Sequence, residues 1–171
     1  AKGDAKALTD AQKDGLAAFF TAGCAQCHWG PRMTDDAFHV MRFPSGHEDF
    51  SADNGRLEGA TTYENAEFRA DSRWADAPQP KRVVTSSEVD RGAFKTPSLL
   101  YVGKSAPYFH DGHAATLADL VAQNHDRMGL TDPLPPAERA ALVAYLETIG
   151  TVSGEDEVGP DRGPRAAGAP V

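Results

Sequence analysis

The chain of 171 residues has only two cysteines, placed three residues apart. Thiol chemistry is therefore confined to one place: a single disulfide, a redox dithiol or half of a zinc site. No apolar run approaches the roughly 18–20 residues of a membrane span. There is no internal repeat and no convincing pair of strands. Positive charge is scarce: 17 basic residues face 25 acidic ones, for a formal net charge of −8. That deficit argues against nucleic acid as a partner. It suits a partner protein with a basic patch, whose complementary field speeds encounter, and it equally serves solubility. The length and a hydrophobic content of 40% fit one packed domain rather than two.

What is present is concentrated at Cys24-Ala25-Gln26-Cys27-His28. C-x-x-C-H is the attachment signal of c-type haem. Two thiols at this spacing reach the two vinyl groups of one porphyrin, and the adjacent imidazole sits beneath the iron. A thioredoxin-like dithiol needs no histidine there and follows a strand, whereas the segment before Cys24 reads as a helix. A zinc site needs a second ligand pair, and the sequence has no second cysteine pair and no second C-x-x-C-H. The reading is one covalent haem c on Cys24 and Cys27, with iron held by His28. Covalent attachment in bacteria takes place outside the cytoplasmic membrane, so a periplasmic or extracellular address follows.

Residues 1–7 read as an N-terminal leader, 8–150 as the haem domain and 151–171 as a polar tail rich in Gly and Pro. Thr9 with Gln12 forms a capping-box pattern. Leu16, Phe19 and Phe20 follow at helical spacing, giving a Phe face turned to the core, and Gly23 stops the helix. Residues 29–95 carry turn signals at Gly30-Pro31, Pro44-Ser45-Gly46 and Asp53-Asn54-Gly55. They predict a long loop region with short helical pieces, held by the haem. Thr96 to Leu100 predicts a short capped helix with Pro97 at its first position. Thr116 with Asp119 opens a helix whose apolar face is Leu117, Leu120, Val121, Asn124 and Met128. A last helix starts near Pro135-Pro136 and ends at Gly150.

Gly92-Ala93-Phe94-Lys95-Thr96-Pro97-Ser98-Leu99, then Ala106-Pro107-Tyr108-Phe109-His110-Asp111-Gly112 and Ala115-Thr116-Leu117, form a long ordered pattern. It resembles the C-terminal haem domain of bacterial di-haem cytochrome c peroxidases and their MauG-like relatives. Leu8 to Lys13 and Cys24 to Pro31 fit the same domain, so the likeness covers about residues 8–150. It implies an all-α, cytochrome c-like domain that holds the electron-transfer haem between histidine and methionine. The family's peroxide-reducing haem sits in a separate N-terminal domain with its own C-x-x-C-H. That second motif is missing here, so the peroxidatic site does not carry over. The calcium ion that the family places between its two domains is not expected either.

The sixth iron position has several candidates. The family's methionine is followed by glycine, which matches Met128-Gly129, but about one helical turn further from Thr116-Leu117. The position that matches without a gap is Asn124, where MauG-like relatives have tyrosine; asparagine is a poor iron ligand. Met128 is the first choice, His125 the second, and an open site or a loop methionine (Met33 or Met41) the remainder. Methionine also serves simply as core filler. His110 and Asp111 read as an acid–base pair or, more simply, as a structural turn shared with His113. His39 and His47 lie in the loop region without any mark of metal binding. Lys95 and Arg91 are candidates to pair with a haem propionate, and Trp29 and Trp74 to relay electrons or pack the rim.

The leading functional expectation is a monohaem electron carrier, or the electron-entry domain of a larger multihaem protein, working with a redox partner protein. The alternative is a haem enzyme that reduces peroxide at a labile or open sixth position.

Overall fold

The computed structural model describes residues 7–41, 53–77 and 84–150. The predicted tail, most of the predicted leader, and His47 lie outside the described residues. Four α-helices are formed among them: α1 (Asp10–Thr21), α2 (Arg56–Glu64), α3 (Leu117–Gln123) and α4 (Pro136–Leu146). Two short strands, β1 (Phe38–Val40) and β2 (Ala93–Lys95), complete the regular structure together with short 3-10 turns.

Local chemistry explains the ends of the helices. At the start of α1 the Thr9 side chain accepts from the Gln12 N–H, and the Gln12 side chain accepts from the Thr9 N–H at 2.9 Å. These bonds satisfy two of the orphan donors of a helix start. Thr116 and Asp119 repeat the device on α3. Pro136 opens α4, where its missing N–H costs nothing. Gly23, at φ 84°, turns the chain out of α1 and into the cysteine segment.

α1 lies directly against α4. A Cβ at Gly15 would stand 1.9 Å from the carbonyl oxygen of Ala141, so only glycine allows this approach. Phe19 meets Tyr145 edge-on, with centroids 5.5 Å apart. Leu142 and Leu146 of α4, Leu117 and Val121 of α3, and Val102 and Tyr108 from the connection between β2 and α3 close the core. The Tyr108 hydroxyl donates to the Val102 carbonyl at 2.9 Å, which satisfies its one buried polar atom. Phe20 does not join this face. It is 64% exposed, because Phe19 already occupies the narrow stripe that faces α4.

The all-α expectation is corrected here. β1 and β2 pair antiparallel, with Phe38 opposite Lys95, His39 opposite Phe94 and Val40 opposite Ala93. The excursion between them leaves and re-enters the domain side by side. Backbone groups at that neck need partners, and they find them in each other. The ladder continues into the segment read as a capped helix, where the Thr96 N–H donates to the Ala37 carbonyl at 2.9 Å. Pro97 keeps Thr96 extended, and the Ser98 hydroxyl is bonded to the Arg32 carbonyl at 2.6 Å. Residues 96–99 are therefore not helical.

α3 is also shorter than its apolar pattern implied. It stops at Gln123, and His125 and Asp126 take left-handed φ values of 46° and 60°. Met128 thus sits in a turn beyond the helix rather than on its face.

Candidate functional site

Gly23 delivers the chain into a 3-10 turn, Cys24–Gln26, that begins at the first cysteine; Cys27 caps its end and His28 follows. Cys24 and Cys27 are free thiols, not a disulfide. Burial pushes the Cys24 thiol up to about 11, with a smaller contribution from Cys27. Cys27 is raised too, first by burial and then by the Asp35 carboxylate.

His28 is buried, and its Nδ1 lies 3.0 Å from the Met33 carbonyl. A carbonyl only accepts, so Nδ1 carries the proton and Nε2 keeps its lone pair. Burial lowers the pKa of the ring, against the opposing effect of Met33. The result is a neutral imidazole held in the tautomer that ligates through Nε2, by the outer hydrogen bond that metal-binding histidines characteristically make.

Two adjoining cavities, of about 410 and 440 Å³, share Cys24, His28, Phe94, Lys95, Pro97 and Met128 as lining residues. Each falls in the range of roughly 300–1,000 Å³ usual for ligand clefts. The first is walled by apolar side chains of every core helix: Phe19 of α1, Leu117, Leu120 and Val121 of α3, and Leu142 and Leu146 of α4. Residues on its wall include the first cysteine, the His28 imidazole and a thioether. Together with Cys27, which lines the second cavity, this donor set fits haem c: thiols for two thioethers, nitrogen and soft sulfur for iron, and an apolar enclosure for the ring.

The other predicted residues fall into place around these cavities or away from them. His125 is exposed, stands 3.6 Å from Asp132, and lines neither cavity. Met33 contributes its carbonyl to His28, and its side chain packs on the core. Met41 lines the second cavity but not the first. Asn124 is 1% exposed and lines the first. Lys95 borders both cavities and pairs with Asp36. Arg91 lies elsewhere, bonded to Glu88 and Asn54. Trp29 and Trp74 are more than half exposed, and Trp74 donates to Glu67 at 3.1 Å.

His110 lines the first cavity and pairs with Asp53, not with its neighbour Asp111. Asp111 instead pairs with His113, whose ring stacks on Phe109 at 4.5 Å. The adjacent His110-Asp111 is thus not an acid–base dyad. Its histidine is tied to a residue 57 positions away, a pairing that no local pattern announces.

His39 was unmarked in the sequence. β1 places it 2.8 Å from Asp35, and the two lie with the Cys27 sulfur inside a 4.8 Å cluster. A Cys27 joined to haem would leave, among the described residues, His39 and Asp35 as the metal donors of this cluster, short of the four ligands of a structural zinc site.

No family model matches the chain. Known proteins do. The cytochrome c551 peroxidase of Nitrosomonas europaea is 30% identical over 148 residues, spanning 86% of this chain and 36% of that protein. The cytochrome-c peroxidase IdrP2 of Pseudomonas sp. (strain SCT) is 33% identical across 98% of this chain and 48% of its own length. The methylamine utilization protein MauG of Methylorubrum extorquens is 31% identical across 87% and 37%. The chain therefore spans less than half the length of these relatives. Among solved structures, hydrazine synthase of Kuenenia stuttgartiensis matches with a TM-score of 0.53 and 26% identity, over 85% of this chain and 48% of that one. A MauG-like protein associated with microbial copper homeostasis shares the fold, with a TM-score of 0.54 at 21% identity, over 86% and 45%.

Proposed function

We propose that this chain, a homologue of the cytochrome c peroxidases and MauG over most of its length, carries one haem c and passes single electrons. Cys24 and Cys27 hold the haem covalently, and His28 and Met128 ligate its iron. The observation that carries this reading is the shared lining: His28 and Met128 border both cavities, beside Cys24. When bound, the haem supplies the one-electron ferric–ferrous couple.

The protein's own part is to hold and tune it. The Met33 carbonyl fixes the His28 ring through Nδ1, which makes Nε2 a better donor. The Met128 thioether, a soft and neutral ligand, favours ferrous iron and raises the potential. The apolar walls from α1, α3 and α4 keep water from the ring. Lys95, at the margin of both cavities, is placed to meet a propionate, whereas Arg91 is not. Among the described residues no helix is long and apolar enough to cross a membrane. A periplasmic site, where c-type haem is attached, completes the proposal.

The relatives' names favour a second reading, peroxide reduction at an open sixth position. Ligand binding decides between the two. A carrier with both axial positions filled binds cyanide and carbon monoxide slowly and does not turn over peroxide. Fast binding of either ligand, with peroxide consumption, would put the enzyme reading first.

A further inference from the structure

The turn that bears Met128 is not held by a helix. The left-handed φ values of His125 and Asp126 break α3 just before it. What organises it is Asn124, the largest side chain sealed from solvent among the described residues. Its amide nitrogen donates to the Gly129 carbonyl and to the Thr131 hydroxyl, each at 2.8 Å. Its amide oxygen accepts the Met128 N–H at 2.8 Å. The Met128 N–H can only donate, so the orientation of the amide is settled by the network. One buried side chain at the start of the turn thus binds three residues of its far half.

The turn is also keyed to the cysteine segment. The Leu130 N–H donates to the Ala22 carbonyl at 2.8 Å. At Gly129, with φ +123°, a Cβ would stand 2.9 Å from both Ala22 O and Cys24 Sγ. The backbone next to Met128 therefore lies against one of the two residues that hold the porphyrin.

We infer that Asn124 is a positioning residue for the iron ligand: it fixes the 124–131 turn so that the Met128 thioether is presented to the haem cavity from a loop. The inference rests on the proposed Met128 ligation and goes beyond it. It assigns the ligand's stability to a side chain that never touches iron. It also gives a reason for an asparagine at the place where the family likeness leads one to look for the ligand itself. A buried amide with all its partners satisfied contributes a rigid geometry, and a partly satisfied one loses it.

The test uses the full haem-loaded chain and three variants: Asn124→Ala, Asn124→Asp and Thr131→Val. The readouts are the near-infrared sulfur-to-iron band of the ferric protein, the midpoint potential and the rate of cyanide binding, with circular dichroism as the check of folding. Asn124→Ala should keep its helical signal but lose most of the band, with a lower potential and faster cyanide binding. The ratio of Met-bound to Met-released forms should fall roughly ten- to a hundredfold, the range that a lost buried hydrogen bond carries. Asn124→Asp keeps an acceptor for the Met128 N–H and should restore part of the band. If Asn124→Ala does not fold, Thr131→Val removes one partner while leaving the amide in place, and should still lower the potential.

A full band with an unchanged potential in Asn124→Ala, or in Thr131→Val if that variant must stand in, would overturn the inference while leaving Met128 ligation intact. No band in the unsubstituted chain would remove the ligation itself, and the inference with it.

Discussion

His28 becomes a competent ligand through two ordinary effects acting together: burial keeps its ring neutral, and one carbonyl fixes its tautomer. Its nomination as a ligand is legible in the sequence because the signal is contiguous, five residues with fixed chemistry. Met128 was legible only as a candidate. Its actual setting depends on the bonds of Asn124 and on left-handed residues that no periodicity reveals. Asp35 shows the same limit. The Ala37 N–H, bonded at 3.0 Å, and then the His39 and Thr96 side chains hold its carboxyl down from 3.8 to about 2. Its folded pKa is depressed, so the stability it contributes is present above about pH 4 and is lost as pH falls toward 2. Urea midpoints measured across that window should decline for the natural chain. They should decline less for Asp35→Asn. Equal slopes in the two proteins would count against this account of Asp35.

Among the elements, the contact of α1 with α4 rests on one missing Cβ. Gly15→Ala would gain about 1 kcal/mol in helix propensity. The new carbon, however, would stand 1.9 Å from a carbonyl oxygen, so the helices must part. Overpacking of this kind costs about 1–3 kcal/mol or more, and the steric effect wins. A lowered thermal midpoint is the expected outcome; an unchanged or raised one would show that α4 yields freely. The capped helices were readable because each capping box lies within four residues of chain, Thr9 to Gln12 and Thr116 to Asp119. The sheet was not, because Phe38 pairs with Lys95 across the whole excursion and each strand is three residues long. Alternation over three residues is no signal. The Thr96 segment misled for a related reason. Its threonine and proline suit a helix start, yet tertiary bonding to Ala37 and Arg32 drew it into extended form.

For the whole molecule, the formal charge of −8 sets the sign of its long-range encounters. Reduction by a small cationic complex should slow as ionic strength rises, and oxidation by ferricyanide should quicken, because salt screens attraction in the first case and repulsion in the second. Opposite or absent trends, followed by stopped flow, would mean that charge close to the haem opposes the net charge. The domain-level likeness was legible from long motifs that carry turn and cavity residues together, Phe94 to Leu99 and Tyr108 to Leu117. The placement of His110 against Asp53 was not, since it depends on how the excursion folds back. The central claim is a haem held between His28 and Met128. The optical spectrum of the ferric protein tests it most directly, read into the near-infrared for the natural chain and for Met128→Ala. The account expects a low-spin spectrum with the sulfur-to-iron band, absent in the variant, whose potential falls. A high-spin spectrum in the natural chain, or a band and potential that survive Met128→Ala, would contradict it.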